Sequence, residues 1–399
     1  MDVRARLVPK SEERPRREAA EAPEAETTVT LPAATAAPAP PHRLVSLDAF
    51  RGLTILGMLL VNNVALDTRT PAHLVHAPWN EGVHFADLVF PWFLLIVGVA
   101  LPYAAASFRR KGLPLRTYVA KVLGRGITLY LLGCLLTSSI ARQPLLGLDV
   151  LQLIALAYCA GALLYELPLK ARLGAAAALL VGHWAVIRFL PIPGIGAGAF
   201  TEDQNAIAYL NAAYLQAWGA KGLLSVIPTT AMVLIGTGLG DLLRNDSWGV
   251  ARKVGGLAAA GLALTAGGWL WSLDLPYNKP VWTASYILLC AGLGTLTLAA
   301  FYGTIDALRW RGWAFPLVVF GSNAIVAYVA PILVKIHVLQ EWVWSAADGT
   351  PRTVQQALLE ACTDHFGRGR GGWIYTAGYI LCWWLVLLVL YRRKLFLRV

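Results

Sequence analysis

RLVSLDAFRGLTILGMLLVNN (43–63), HAPWNEG (76–82) and HFADLVFPWFLLIVGVALPYAAA (84–106) decide how this chain is read. The outer two are apolar runs, each near the roughly 20 residues that cross a bilayer as a helix. Between them lies a short polar link, and His73, His76 and His84 all belong to it. The first run carries Asp48 and Arg51 at its start and Asn62 and Asn63 at its end, and the second opens with Asp87. Polar groups costly in lipid therefore stand where two helices enter and leave the membrane, which marks them as candidates for a site.

Working outward, the composition agrees. Of 399 residues, 57% are hydrophobic and 14% charged, against about 25% charge in a soluble domain. The 15 tryptophans and 14 tyrosines suit a membrane interface. A net charge of +11 could suggest nucleic acid, but the basic residues cluster in short links between apolar runs, where they set topology. Nucleic-acid binding is excluded as a reading. Cys134, Cys159, Cys290 and Cys382 lie in apolar runs and Cys362 in a link. Without a CxxC pair or metal-ligand spacing they read as small buried hydrophobes, and no metal site is expected.

Residues 1–42 are rich in Ala, Pro, Glu and Arg. Such a segment buries too little apolar surface to offset its ordering entropy, so a disordered cytoplasmic tail is expected there. No apolar core follows its basic residues as in a cleavable signal peptide, so the first membrane helix is expected to direct its own insertion. From 43 to 399 the chain reads as one membrane domain. Ten apolar runs follow the tail, near 45–65, 85–106, 117–138, 147–166, 173–190, 222–243, 254–272, 282–305, 313–334 and 373–391. The fold class expected is all-α, a polytopic membrane bundle of about ten transmembrane helices. The link 335–372 has room for an amphipathic or re-entrant helix around 353–366. No internal repeat supports an inverted duplication.

Charge orients the bundle. One set of links holds Arg109, Arg110, Lys111, Arg116, Lys121 and Arg125, then Lys170 and Arg172, then Arg244, Arg252 and Lys253, then Arg309 and Arg311. The chain's end adds Arg392, Arg393, Lys394 and Arg398, whereas the short links opposite hold Arg69, Arg142, Arg188, Lys221 and Lys279, one each. The positive-inside rule makes the first set cytoplasmic, together with both termini, and puts HAPWNEG outside.

Among the polar residues, His76 has the chemistry of a general base or of a nucleophile that briefly carries an acyl group. Asp87 is near enough in sequence to orient its ring and stabilise the cation. Asp48 and Arg51, three apart on one helix, can pair, and Arg51 suits an anionic ligand. Asn278 and Lys279, with the tryptophan of YNKPVWTASY at a helix mouth, could grip a sugar or a carboxylate, while Trp79 lies near His76 in sequence. Gln152 and Asn323 are amides at membrane depth, which commonly bond neighbouring helices. Neither a G-x-x-x-x-G-K-[ST] loop nor a G-x-S-x-G elbow occurs, which argues against an ATP-driven pump and an α/β-hydrolase. These residues alone do not choose an enzyme over a secondary transporter of a small polar or anionic solute.

The run RLVSLDAFRG…MLLVNN…HAPWNEG…DLVFPWFLLIVG resembles the heparan-α-glucosaminide N-acetyltransferase family and its bacterial relatives. VLQLIALAY (150–158), YNKPVWTASYILL (277–289) and GSNAIVAY (321–328) resemble the same family in the same order. The resemblance implies transfer of an acetyl group from cytoplasmic acetyl-CoA to an amino sugar or glycan on the far side of the membrane. His76 stands at the catalytic position, with Asn62 and Asp87 at matching positions of the same machinery. Asp48 and Arg51 are expected at the acetyl-CoA, and Trp79, Asn278, Lys279 and Asn323 at the acceptor. The setting implied is a bacterial inner (plasma) membrane, and a homodimer is one assembly left open. The link reads W-N-E-G, one residue longer than the usual W-x-G, with His84 where relatives have threonine, and Lys221 replaces an acidic residue. These departures fall on the acceptor side, so the sugar stays open.

Orientation is the first thing to test. In a cysteine-free background, Leu74→Cys should react with an impermeant maleimide added from outside the cell and not from the cytoplasmic side. Labelling from the cytoplasm alone would invert the topology.

Overall fold

A computed structural model describes residues 44–64, 70–345 and 349–397; the expected tail at 1–42, Arg69 and Arg398 lie outside them. Eight helices are long and apolar enough to cross a membrane. They are α1 (Val45–Asn63), α2 (Phe85–Arg110), α3 (Leu115–Ala141), α5 (Leu169–Phe189), α7 (Val226–Arg244), α8 (Val250–Ser272), α9 (Ala284–Phe301) and α13 (Arg368–Arg392). A further apolar pair, α10 (Phe315–Ser322) and α11 (Ala324–Val334), bends by 67° at its break and has the form of a broken span or a re-entrant loop. The fourth apolar run, 147–166, forms the 15-residue α4 (Val150–Leu164), about 22 Å at the usual rise. Each of the ten runs thus becomes a helix or a broken pair, and the chain is an all-α multi-pass bundle.

The helices sort by burial. In their most apolar stretches α1, α2, α7 and α9 bury 61–67% of residues, while α8 and α13 bury 17% and 11%. The first four form the centre. The others turn Leu131, Leu135, Leu381 and Leu385 outward, as a helix facing lipid does. Two close crossings set this arrangement. On α1, a Cβ at Gly52 would stand 1.8 Å from the Leu317 carbonyl oxygen of α10, and one at Gly321 would stand 1.9 Å from that of Asp48. Between α2 and α7, Gly98 and Gly236 pack with their Cα positions in each other's way. Small residues permit such approach, and membrane helices use them because lipid offers no hydrophobic drive to associate.

The break at Asn323 has a local cause. Its backbone leaves the helical region, with φ −127° and ψ 48°. Its side chain serves main-chain groups of the chain's end instead, donating to Leu395 O at 3.0 Å and accepting from Leu397 N at 3.0 Å. An amide competing with the helix ladder is a recognised way to interrupt one. The contact also ties the end of α13 to the level where α10 meets the start of α1. The start of α1 and the segment after α13 therefore meet on one face. At the opposite face Lys335 Nζ donates to Asn62 O at 2.9 Å, and Thr376 Oγ1 donates to Asn63 O at 3.0 Å.

The link after α11 holds a short antiparallel hairpin, β1 (Val343–Ser345) with β2 (Pro351–Thr353), which the sequence did not suggest. It also holds α12 (Val354–Phe366), where the amphipathic helix was expected. Its start is a capping box: Thr353 Oγ1 accepts from Gln356 N and Gln356 Oε1 accepts from Thr353 N. The remaining α-helix among the described residues, α6 (Ala206–Leu210), is a single turn opened by the Asn205 side chain. The expectation that all the cysteines are buried needs correcting. Cys134 and Cys290 are buried, Cys159 and Cys362 partly so, and Cys382 lies exposed on α13, whose outer face has no helix to cover it.

The α1–α10 crossing can be challenged directly. Gly52→Val should force the two backbones apart and destabilise the protein by at least the roughly 1–3 kcal/mol typical of overpacking. Gly124→Ala on α3, which meets nothing within 4 Å, should leave stability unchanged or slightly higher. Thermal unfolding in detergent by tryptophan fluorescence compares them; equal melting temperatures would dismiss the crossing.

Candidate active site

The site starts with the first turn of α2. Asp87 is its third residue, where the helix dipole and unsatisfied N–H groups favour a carboxylate. Its Oδ2 accepts from His84 N at 3.0 Å and from Ala77 N at 3.1 Å, so one oxygen folds the whole 77–84 link back over the helix end. The other oxygen, Oδ1, lies 2.8 Å from His76 Nδ1 and 3.5 Å from Lys279 Nζ. Asp87 is nearly inaccessible, its side chain 3% exposed, while that of His76 is 56% exposed. A buried anion thus carries a histidine that faces outward.

This contact favours one tautomer of the neutral ring. A carboxylate can only accept, so Nδ1 carries the ring proton and Nε2 presents a lone pair. Lys279 Nζ stands 2.9 Å from Nδ1 and 3.2 Å from Nε2, across the ring rather than along one lone pair. Burial lowers the Lys279 pKa, and the Asp87 carboxylate pushes it back up by charge and hydrogen bonding. His76, Asp87 and Lys279 therefore form one cluster drawn from two links far apart in sequence.

The segment bearing Lys279 is held from several sides. Asn278 donates through Nδ2 to Asn80 Oδ1 at 3.1 Å and accepts at Oδ1 from Val281 N at 3.2 Å. Thr283 Oγ1 accepts from Asn278 N at 3.0 Å. His183, on α5, meets Val281 O at 2.9 Å through Nε2. From α9, the Tyr286 hydroxyl donates to Asp87 O at 2.5 Å. Trp282 adopts a left-handed φ of 56°, an outlier for a bulky residue, and its ring is enclosed by Phe90 and Tyr286. Such strain persists only where surroundings impose it.

The remaining candidates divide. Trp79 packs at a tilt against Phe200, ring centroids 5.3 Å apart, and donates to its carbonyl through Nε1, so it braces the link. His84 Nδ1 meets Val75 O at 2.9 Å and its ring packs against His73. Asn62 does not join the cluster. It lines a cavity of about 420 Å³ whose walls include Arg142, Asp149, Tyr328, Lys335 and Tyr379 but none of His76, Asp87 and Lys279. Asp48 and Arg51 lie toward the other face, 3.1 Å apart, beside Asp306, whose carboxylate accepts from Val45 N and Ser46 N at the start of α1. Asn323 is occupied by the chain's end. Gln152 donates to Thr137 Oγ1 across α3 and α4, the interhelical use expected of a membrane amide.

Sequence reasoning missed Tyr286, Asn80 and His183. A tyrosine inside an apolar helix reads as core, and Asn80 looks like any loop residue. Its φ of 61°, a conformation asparagine tolerates, is visible only in three dimensions.

Residues 43–269 match the family model described as the catalytic region of heparan-alpha-glucosaminide N-acetyltransferase. The Homo sapiens protein of that name is 23% identical over 430 residues, covering 90% of this chain and 60% of the relative. The Mus musculus protein of the same name is 23% identical over 429 residues, covering 90% and 61%. The chain thus spans about 60% of the length of the curated relatives it matches. The matched region is more than half of the chain and contains His76 and Asp87, so this multi-pass membrane protein belongs to the heparan-alpha-glucosaminide N-acetyltransferase family.

Proposed function

We propose that this protein moves an acetyl group from acetyl-CoA to the amine of an amino sugar or glycan, with His76 as the reacting base or acetyl carrier. The observation that carries the reading is the Asp87–His76 contact of 2.8 Å, set under an exposed ring edge. Asp87 holds the ring with Nε2 outward and favours the imidazolium that forms when Nε2 takes a proton or an acyl group. Acting as base, Nε2 removes a proton from the acceptor amine as it attacks the thioester carbonyl. Acting as carrier, Nε2 attacks first and passes the acetyl group on.

In this reading acetyl-CoA enters from the cytoplasmic face, where Arg51, held by Asp48, meets its phosphates. The acceptor arrives from the opposite face, where the link charges put His76. Gly57 of α1 lies level with Phe85 and Val89 at the start of α2. Arg51 is six residues below Gly57, or ~9 Å along the helix. An extended thioester arm spans such a distance without unwinding the bundle. Asn278 and Trp79 support the walls of the acceptor's entrance, whereas Asn323, bonded to Leu395 and Leu397 near the other face, lies away from it.

The broken α10–α11 span favours a second reading, a secondary transporter, since carriers place their sites at discontinuous helices. Carriers use such breaks in pairs, and among the described residues one pair of helices is bent in this way.

Purified protein should release free CoA from acetyl-CoA when glucosamine or a related amine is present, with labelled acetyl recovered on the amine. His76→Ala should lower turnover by at least roughly 10²–10⁴-fold while acetyl-CoA binding survives. Asp87→Asn should weaken turnover less, and the double variant should be little worse than His76→Ala, since groups acting as a unit are not additive. Asn62→Ala should cost less than Asp87→Asn. Substantial acetyl transfer by a folded His76→Ala protein would refute the assignment. Solute flux into vesicles without any acetylation would favour the carrier.

A further inference from the structure

The cluster holds one charge that neither acid–base route uses. Asp87 contributes −1, Lys279 +1 and the neutral ring nothing. Acyl transfer at Nε2 creates two new charges, an imidazolium on the ring and an oxyanion on the attacked carbonyl. Asp87 faces the first at 2.8 Å. A carbonyl bonded to, or under attack beside, Nε2 has its oxygen within reach of a group 3.2 Å from that nitrogen, and Lys279 Nζ is that group. We infer that Lys279 is a catalytic residue whose ammonium stabilises the tetrahedral oxyanion.

The step balances in charge and atoms. The amine nitrogen attacks the carbonyl carbon, a C–N bond forms and the π pair moves to oxygen, where Lys279 meets it. Nε2 takes the amine proton and Asp87 steadies the resulting cation. Collapse re-forms the C=O bond, breaks the C–S bond and releases a thiolate, which takes the proton from Nε2. If His76 carries the acetyl group instead, the same oxyanion forms twice in the same place. Lys279 is also preorganised. Asn278, Thr283 and His183 fix its segment, and Asp87 anchors its ammonium at 3.5 Å, so little reorganisation is needed when the charge appears.

This inference rests on the acyl-transfer reading, so the test uses two acetyl donors. Full-length protein in detergent is assayed with acetyl-CoA plus glucosamine, and separately with p-nitrophenyl acetate, which needs neither a CoA site nor a sugar. Lys279→Met should lower kcat by about 10²–10³-fold, as expected for loss of one oxyanion donor, and change KM little. Lys279→Arg should keep much of the rate. In Lys279→Ala, added ethylammonium should restore activity in a saturable way, which a merely structural lysine would not allow. An unchanged kcat in Lys279→Met, or a loss that ethylammonium does not relieve, overturns the role. A wild-type protein that cleaves the ester through His76 yet leaves acetyl-CoA intact would overturn the acetyl-CoA reading and keep the Lys279 comparison. Absence of His76-dependent cleavage of either donor would overturn both.

Discussion

The structure around the site depends on one buried carboxylate. Asp87 sits at the start of an apolar helix, where an unpaired anion would be severely penalised. It is therefore surrounded: two main-chain N–H groups on one oxygen, an imidazole and an ammonium on the other. Each partner comes from a segment that would otherwise be a loose link. Meeting the carboxylate folds the 76–84 link over α2, turns Nε2 of His76 outward and draws in Lys279. Tyr286 closes the arrangement from behind by bonding the Asp87 carbonyl. One carboxylate thus holds two links together.

That arrangement needs a rigid frame, and the frame comes from close backbone crossings rather than from large side chains. At the α1–α10 and α2–α7 crossings a single added carbon would strike a neighbouring carbonyl or Cα. The central helices therefore have little freedom to slide. Along the bundle, polar residues serve different ends. Near one face Asp306 caps α1 and Asn323 binds the chain's end. Near the other the Asp87 cluster gathers reactive groups. Asn62 stands on that second face too, but in a separate cavity with Lys335 and Asp149, so its position matching a family asparagine does not by itself bring it to His76.

The helical architecture was legible because lipid imposes a simple rule: spans of about 20 apolar residues, with charges left in the links. The ten runs, the amphipathic segment 353–366 and the pairing of His76 with Asp87 followed from that rule and from local spacing, since 11 residues separate the pair. The 67° bend, the hairpin at 343–353 and the exposure of Cys382 were not legible. They depend on which face each helix turns to a neighbour, and apolar runs in membranes carry little periodicity to tell.

By itself, then, the sequence determined the class of fold and the ten apolar runs, and it put His76 and Asp87 near enough to pair. Only the tertiary structure decided that Lys279, 203 residues from His76, belongs against the ring, and that Asn62 lies elsewhere. The physical reason is range. Membrane insertion and helix capping act over one segment at a time and leave their mark in consecutive residues. The meeting of two links is set by how four central helices pack, through contacts between residues that no local pattern relates.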